Sequence, residues 1–471
     1  MMWSRRDLLQ SAWRLSAAAP LASCAALPKA PAQQDDWAMA DDIRAQIRLP
    51  RFPAQDFSVE DFGAKADGNT DNTAAFAAAI AACHKAGGGR VVAAKGVYKT
   101  AAIHLLSHVN LHVAKGSTLS FSTNPNAYLP AVFTRWEGME MMGYSPLIYA
   151  YEQQNIAITG GGTLDGNANN TTWWPWKGAH SERHWDVLPG QDQMPARDIL
   201  QQQVLDGVPP RQRIHADGSF LRPSFIQPYA CQSVLIEGVT IINSPFWLVH
   251  PVLCESVTIA GVTCSSHGPN NDGCDPECCK NVLIENCVFD TGDDCIALKS
   301  GRNEDGRRLN VPIENVVVRH CNMRDGHGGF VLGSEISGGA RNIFVEDCTM
   351  SSPHLERAIR IKTNARRGGL IEHIRVRNIT IGQVQDAVVV NFYYEEGEAG
   401  NYQPIVRDIV IDNLQCEEAQ RAFYLRGFAK SPLGSIRIQN SAFKRLSQDS
   451  VLEHAPAFEL RNVSLPKVLA Q

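Results

Sequence analysis

The sequence lacks several features that would assign it to a common class of protein. Its 471 residues contain no uninterrupted apolar run approaching the roughly 20 residues that a membrane-spanning helix needs. The net charge is only −5, from 44 Lys and Arg against 49 Asp and Glu, which argues against a nucleic-acid-binding or general polyanion-binding surface. The sequence also lacks the two Cys/His pairs at the spacing that a zinc finger needs. Any acidic ligand must therefore be held by a few local cations.

The first 33 residues predict an export signal, and residues 34–56 form a polar lead-in to the main domain. The segment Ser4–Leu9 resembles a twin-arginine signal and precedes an Ala-rich stretch, which Arg14 interrupts. The segment Leu21–Cys24 resembles a bacterial lipobox, in which Cys24 would be lipidated. We therefore expect an exported protein that is periplasmic, anchored to the outer membrane or extracellular. The alternative, an ordinary Ala-rich segment, leaves the double arginine unexplained.

Short Val/Ile motifs recur through most of the chain. They begin at Asn155, Ser233, Ser256, Asn281, Asn315, Asn342, His373, Asp408 and Ser435. From Ser233 onward the period is roughly 23–35 residues, as in solenoids, and each motif alternates as a half-buried strand does. Residues 57–471 are therefore predicted to fold as an all-β, single-stranded, right-handed parallel β-helix. A β-propeller would need a longer period of about 40–50 residues.

The repeat also interprets the cysteines and the N-terminal end of the solenoid. Five cysteines occupy inward positions that other coils fill with apolar residues, so we expect them to be core residues and not disulfides: Cys264, Cys287, Cys321, Cys348 and Cys416. Cys274, Cys278 and Cys279 lie close together but predict no metal site, and we expect no cofactor. The Ala-rich segment 71–86, followed by three glycines, predicts a helix that caps the solenoid.

Three carboxylates are expected to converge. Asp272 follows two asparagines, and Asp293 and Asp294 lie about one coil later, after Gly292. Strict alternation would send the adjacent pair to opposite faces, so the chain must bend there, which Gly292 permits. Crowded carboxylates cannot all ionise, and one should retain a proton near neutral pH. The cluster thus predicts a general acid beside a general base, although a single exposed Asp would more often be solvated.

Later coils add a histidine and two cations. His327 lies between Gly326 and Gly328, which leave room for close approach. Arg360 and Lys362 are two residues apart in a predicted strand and so share one face. Above a cluster of acids they would form a clamp for a substrate carboxylate. A satisfied histidine and a solvated strand face are the alternatives.

The four motifs in this order resemble the polygalacturonases of glycoside hydrolase family 28. The motifs are Asn-Asn-Asp-Gly at 270–273, Gly-Asp-Asp-Cys at 292–295, Gly-His-Gly at 326–328 and Arg-Ile-Lys at 360–362. The likeness begins near residue 61 and continues to the last coils. It implies a pectin lyase-like solenoid that hydrolyses α-1,4-galacturonosidic bonds of pectic polysaccharide or galacturonate oligosaccharides, without a metal.

The resemblance also implies a role for each matched residue. Asp293 would protonate the leaving oxygen, assisted by His327, and Asp272 and Asp294 would activate water with inversion at the anomeric carbon. Substrate would be bound by Arg360, Lys362, Asn270 and a stacking tyrosine, which is either Tyr393 or Tyr394. Asn271 departs from the family, where many members have Thr.

Three alternatives remain open at this stage. The substrate could be rhamnogalacturonan or another galacturonide-bearing pectin branch. The three acids could instead bind calcium in a pectate lyase, because hard cations favour carboxylate oxygens. A β-helix that only binds polysaccharide is the third, although such a module would not need three crowded acids.

A long insertion at residues 166–225 bears on how the chain is cut. It contains three tryptophans at Trp173, Trp174 and Trp176, which either form a sugar platform or pack the insertion down. Four basic residues follow: Lys177, His180, Arg183 and His184. Loops that leave a solenoid often project over its binding face. We therefore expect the insertion to close one end of the cleft, so that its cations grip a terminal galacturonate and the enzyme is exo-acting.

Overall fold

The computed structural model describes residues 36–180 and 183–468, and residues from Trp37 onward belong to one compact unit. The predicted export signal, including Cys24, lies outside the described residues. The compact unit is a stack of coils in which each coil pairs in parallel with the next. The predicted parallel β-helix is therefore confirmed.

Three ladders of parallel strands form the stack. The first ladder contains the strands Asp56–Ser58, Gly89–Ala93, Val109–Val113, Gln154–Gly160, Gln232–Glu237, Glu255–Ala260, Lys280–Glu285, Ile313–Arg319, Ala340–Glu346, Leu370–Asn391, Ile405–Arg426, Ile436–Leu446 and Phe458–Ser464. The strands Leu370–Asn391 and Ile405–Arg426 are long enough to run through all three ladders.

The other two ladders follow in the same coils. The second contains Asp67–Asp71, Gly96–Thr100, Ser117–Phe121, Thr163–Asp165, Thr240–Ile242, Thr263–Ser266, Val288–Thr291, Asn322–Met323 and Thr349–Met350. The third contains Ile103–His104, Ile148–Tyr151, Ile226–Tyr229, Ile296–Leu298, Phe330–Leu332, Arg357–Lys362 and Val451–Glu453. Single bridges through Val249, Val252, Cys274 and Glu277 complete the third ladder between residues 229 and 296.

The repeated motif sets the register of the first ladder. Ile259 pairs with Ile284, which pairs with Val318, so like residues stack above one another in the core. The residue that opens eight of the nine motifs takes a left-handed backbone conformation, as Asn281 and Asn315 do, and Ser435 is the exception. Asparagine tolerates that conformation, and the Asn315 amide donates to Asn281 Oδ1 at 2.9 Å. In those eight coils the polar first position thus bends the chain into the strand.

The cysteines lie where the repeat predicts. Cys264, Cys287, Cys321, Cys348 and Cys416 are buried in the main apolar cluster, and each is a free thiol. Cys274, Cys278 and Cys279 are also buried and free. Their packing agrees with a role as small core residues.

The described part of the chain contains four α-helices, which lie on the stack: α1 (Asp36–Gln46), α2 (Thr73–Lys85), α3 (Met194–Leu205) and α4 (Asn303–Leu309). Helix α2 buries Phe76 and Ile80 against the first coils, which confirms the capping helix predicted at 71–86. Helix α1 lies in the lead-in and packs on an outer face formed by Val317 and Phe344. No helix within the described residues is long and apolar enough to cross a membrane.

An antiparallel hairpin, Val132–Trp136 with Met139–Gly143, stands outside the ladders, and Ile214–His215 of the insertion pairs with its second strand. Its two turn residues, Glu137 and Gly138, both have positive φ, as a tight hairpin turn of the right twist requires. The hairpin docks through buried ion pairs. Arg135 lies 3.1 Å from Glu277 of the coils, which in turn contacts His250 at 2.9 Å.

Candidate active site

The predicted acids meet in a pocket of about 730 Å³ on the third-ladder side of the coils. The closest oxygens of Asp272, Asp293 and Asp294 all lie within 4.8 Å of one another. The chain bends at residues 292 and 293, directly after the strand Val288–Thr291. The bend lets both adjacent aspartates reach the same cluster, as the sequence predicted.

Asp272 shares its surroundings with an acid that the sequence analysis missed. Both Asp272 and Asp275 are buried, and Lys299 Nζ lies 3.7 Å from the first and 3.5 Å from the second. Within the described residues, neither oxygen of Asp275 nor Asp272 Oδ1 receives a hydrogen bond. Burial and the neighbouring acids raise the pKa of both groups well above their ordinary range, against the charge of Lys299. Both shifts favour the protonated forms of these two carboxyls.

Asp293 is coupled to His327. His327 Nδ1 lies 3.0 Å from Asp293 Oδ1. Burial opposes ionisation of Asp293, but the charge and hydrogen bond of His327 hold the pKa of Asp293 below its usual value. Asp293 in turn raises the pKa of His327, despite burial. The contact with His327 therefore favours the ionised form of the Asp293 carboxyl and the protonated form of the imidazole.

The two glycines beside His327 permit this approach. A Cβ on Gly326, whose φ is +145°, would lie 2.3 Å from the carbonyl oxygen of Asp293. A Cβ on Gly328 would lie 2.4 Å from Val331 and 3.0 Å from Asp294 Oδ1. Glycine is thus required at both positions by close packing against the acid pair.

Asp294 is fully buried and held by the predicted cations. Lys362 Nζ lies 2.6 Å from one of its oxygens and Arg360 Nη1 lies 3.4 Å from the other. Burial lowers the pKa of Lys362, but Asp294 more than offsets this, so the pKa is raised. The ring of Tyr394 lies 5.2 Å from Lys362 Nζ and lines the pocket. Tyr393 instead packs on Phe428, so of the two predicted tyrosines Tyr394 is the one at the site.

Asn270 lies at the edge of the same cluster. Its Oδ1 accepts hydrogen bonds from Lys177 Nζ at 3.1 Å and from Arg222 Nη2 at 2.8 Å. Asn271, the departure from the family pattern, is buried and donates to the carbonyls of Ser244 and Phe246. Asn271 therefore fixes the turn, and Asn270 faces the pocket.

The opposite side of the pocket comes from the hairpin and the insertion. Glu137, at the hairpin tip, lies 2.9 Å from Arg197 of helix α3 and 2.9 Å from Arg302. Arg302 also approaches Glu335, whose other oxygen lies 3.2 Å from Lys299. A chain of alternating charges therefore connects the hairpin tip to the acids. The sequence analysis did not find Glu137, Lys299, Arg302 or Glu335.

The insertion behaves partly as predicted. Lys177, His180 and His184 line the pocket together with Trp185, whereas Arg183 does not. Trp173, Trp174 and Trp176 are buried in the main apolar cluster, so they pack the insertion down and form no sugar platform. Residues of the insertion and of the hairpin therefore line part of the pocket.

The missed residues left weak signals in the sequence. Lys299 and Arg302 lie in the coil that carries Asp293, and Lys299 follows the apolar run Ile296–Leu298. A charge in a buried strand needs partners, and that rule could have drawn attention to Lys299 and to Asp275, three residues after Asp272. Glu137 left no such signal, because its place depends on how the hairpin docks.

Comparison with known proteins agrees with this geometry. Residues 215–454 match the sequence profile of Glycosyl hydrolases family 28. A hyperthermoactive exopolygalacturonase from Thermotoga maritima superposes with a TM-score of 0.86 and 41% identity, covering 90% of this chain and 95% of that one. A probable polygalacturonase of Vitis vinifera is 29% identical over 82% of this chain and 74% of its own length. An exo-poly-alpha-D-galacturonosidase of Dickeya chrysanthemi is 28% identical over 72% of this chain and 57% of its own. The chain is therefore a glycoside hydrolase and belongs to family 28.

Proposed function

We propose that this enzyme is an exo-acting polygalacturonase that hydrolyses α-1,4-galacturonosidic bonds from a chain end of pectic polysaccharide. The observation that carries the proposal is a cluster of three acids and two cations in a pocket that residues of the hairpin and the insertion also line. The relatives named as exo-acting enzymes support it. Initial rates on homogalacturonan and rhamnogalacturonan test the substrate, and release from rhamnogalacturonan alone would reject it.

The acid function belongs to the pair formed by Asp293 and His327. The imidazolium of His327 is the proton reservoir, and Asp293 is the carboxyl that reaches the leaving oxygen. As negative charge develops on that oxygen, the proton passes from His327 through Asp293 to the departing sugar. This division of work explains why the pKa of Asp293 is low while the pKa of His327 is raised.

The base function belongs to Asp294, assisted by Asp272. Lys362 and Arg360 form ion pairs with its two oxygens, and we assign to it the proton of the attacking water. Asp272, whose pKa burial raises, orients the same water by hydrogen bonding. Entry of a galacturonate carboxylate between Arg360 and Lys362 would compete with Asp294 for both cations.

The resemblance implies inversion, but the spacing of the acids does not decide the stereochemistry alone. Carboxyl oxygens within 4.8 Å are closer than the roughly 6.5–9.5 Å of most inverting pairs. Because there are three acids, Asp293 can act on the leaving oxygen while Asp272 and Asp294 hold the attacking water between them. This arrangement favours inversion. Proton NMR of the first product should show the β-anomer from the α-linked substrate. An α-anomer appearing first would make Asp272 or Asp294 a nucleophile.

A calcium-dependent lyase is disfavoured by the partners of the acids. Basic groups of Lys299, His327 and Lys362 each lie within 3.7 Å of one of the three acids. A calcium ion would have to compete with these cations for the oxygens of the same carboxylates. Ultraviolet absorbance that grew with cleavage and disappeared with a chelator would overturn the hydrolytic reaction.

Exo-action predicts a specific product pattern. We expect the hairpin and the insertion to limit the space beyond the cut to one or two sugars, so mono- or digalacturonate should accumulate from the first minutes while viscosity falls slowly. Early mid-sized oligomers with a steep fall in viscosity would instead indicate an open groove and endo-action.

Export remains a proposal from the sequence alone. The segment Ser4–Leu9 supports twin-arginine transport, and the segment Leu21–Cys24 supports lipid anchoring. Replacing Arg5 and Arg6 with Lys should retain the enzyme in the cytoplasm. Cys24→Ala should release it from the membrane fraction without changing its specific activity. Unchanged fractionation of both variants would contradict the proposal.

A further inference from the structure

Lys177 differs from the other cations of the pocket in having no carboxylate partner. Lys299 contacts three acids, Arg302 contacts three, and Arg197 lies against Glu137. Arg360 and Lys362 share Asp294. Among the described residues, no carboxylate lies within ion-pair distance of Lys177, whose recorded hydrogen bond is to the neutral amide oxygen of Asn270.

The same amide oxygen also serves Arg222. Arg222 is fully buried, and its remaining acceptors are neutral: the carbonyls of Pro245 and Pro269 and the side chain of Gln193. Two cations therefore share one neutral oxygen. Burial lowers the pKa of both Lys177 and Arg222. The charges of Glu137 and Asp293 oppose this shift from a distance, but burying a cation without a contacting counter-ion is costly. A ligand anion that reached Lys177 would supply that counter-ion.

The position of Lys177 indicates where such an anion would lie. Lys177 lines the pocket and contacts Asn270, two residues before Asp272, whereas Arg360 and Lys362 contact Asp294. The pocket thus holds two separate cation groups along the acid cluster. A galacturonan chain carries one carboxylate on every sugar, so two consecutive sugars present one carboxylate to each group.

We propose that Lys177 binds the carboxylate of the galacturonate adjacent to the one held by Arg360 and Lys362. The inference rests on the proposed function and adds a specificity determinant to it. The enzyme then reads two consecutive acidic sugars across the bond it cleaves, with Asn270 and Arg222 holding Lys177 in position. A methyl ester or a neutral sugar at either place would be discriminated against, so an alternating rhamnose-containing backbone is a poor substrate.

Trigalacturonate provides the test, together with three analogues in which one galacturonate is replaced by galactose. The wild-type kcat/KM should fall for the two analogues altered next to the cut, one on each side. Lys177→Met should lower kcat/KM on trigalacturonate by roughly 10- to 100-fold, the loss of a hydrogen bond to a charged group. It should also abolish the sensitivity to one of those two analogues and leave the other intact. Lys177→Arg should restore the sensitivity.

The control variant is Lys430→Met, at an exposed turn outside the pocket. It should match the wild type on all four substrates. Equal losses by Lys177→Met on trigalacturonate and on every analogue would show a purely structural role and overturn the proposal, as would unchanged sensitivity to both analogues altered next to the cut. If the wild type cleaves none of the four substrates, the proposed function fails, which is a separate outcome.

Discussion

The two walls of the pocket are built in different ways. The coil wall, formed by Asp272, Asp293, Asp294, His327, Arg360, Lys362 and Tyr394, comes from consecutive turns of the solenoid. Residues of neighbouring coils lie in strict register, as Ile296, Phe330 and Ile359 do beneath the site. The loop wall, formed by Glu137, Lys177, Trp185 and Arg197, comes from the hairpin and the insertion. Its members reach the pocket only through tertiary docking.

This difference separates the chemistry from the choice of bond. Stacked coils repeat at about 4.8 Å, so three acids on adjacent coils are fixed close together by the backbone itself. The loop wall has no such constraint and can change without moving the acids. We infer that the coil wall determines what reaction occurs and the loop wall determines where on the polymer it occurs.

The largest effect should come from the coil wall. Asp293→Asn removes the carboxyl that reaches the leaving oxygen and should lower kcat by roughly 100- to 10,000-fold. Binding of trigalacturonate, measured by calorimetry, should change little, because both cation groups remain. Asp290→Asn, in the same coil but outside the pocket lining, is the matched control. Retention of activity by Asp293→Asn would remove it from the chemistry.

The loop wall should respond in the opposite manner. Glu137→Gln leaves Arg197 and Arg302 without their shared carboxylate, and breaking a buried ion pair of this kind costs about 3–5 kcal/mol. We expect the hairpin tip to detach from Arg197 and Arg302. Longer oligomers should then appear among the products, while hydrolysis itself continues. Chromatography of early products checks this. Glu237→Gln, an exposed residue of the coils, should change nothing.

An unchanged product pattern in Glu137→Gln, with lost stability, would show that the tip is only structural. Loss of all cleavage would show that the two walls cannot be separated. In that case the chain of charges from Arg197 through Arg302, Glu335 and Lys299 to the acids would be part of the catalytic apparatus.

The residues of the coil wall could be predicted from the sequence, whereas most of those of the loop wall could not. Asp272, Asp293 and Asp294 could be placed together because the coil period and the alternation of strands are visible in the residues. Lys299 and Asp275 were missed because each lies in a segment whose apolar neighbours suggest core. Glu137 could not be found, since its place depends on Arg135 pairing with Glu277, 142 positions further along the chain.

Protonation could not be predicted from residue types either. The sequence gives three similar carboxyls, and only their surroundings distinguish them. Burial beside Asp275 raises the pKa of Asp272, whereas contact with His327 lowers that of Asp293. The three tryptophans at 173, 174 and 176 show the same limit, because sugar platforms and core packing use the same side chains.

A smaller effect is expected from His327. His327→Gln keeps a hydrogen-bonding group but removes the proton reservoir, and should lower kcat/KM by roughly 10- to 100-fold. Because the pKa of His327 is raised above about 6.5, wild-type activity should fall as pH increases through that raised value. The alkaline limb of the pH profile should disappear in the variant. If the alkaline limb of the pH profile were unchanged in the variant, the proton would come from another group, and Asp272 would be the next candidate.

The same pair contributes to stability with a defined sign. The folded-state pKa of His327 is raised, so its contribution is full below the ordinary histidine pKa and is lost as pH rises through the folded value. His327→Gln should therefore lower the melting temperature at pH 5 more than at alkaline pH. His320→Gln, at a bend between the first and second ladders away from the pocket, is the matched control and should show no such dependence.

The smallest effect is expected at Tyr394, for which the adjacent Tyr393 provides a control. Tyr394 lies beneath Lys362 and Arg360 within 5.6 Å of its ring centre, whereas Tyr393 contacts Phe428 and Arg426. Tyr394→Leu should raise KM for trigalacturonate by roughly 2- to 30-fold, the value of a cation–π contact of this kind. Tyr393→Leu removes the same ring one residue earlier and should leave KM unchanged. Equal increases in KM for the two variants would contradict this prediction. They would mean that packing of the chain near residue 392, and not the contact of the Tyr394 ring with Arg360 and Lys362, supports substrate binding.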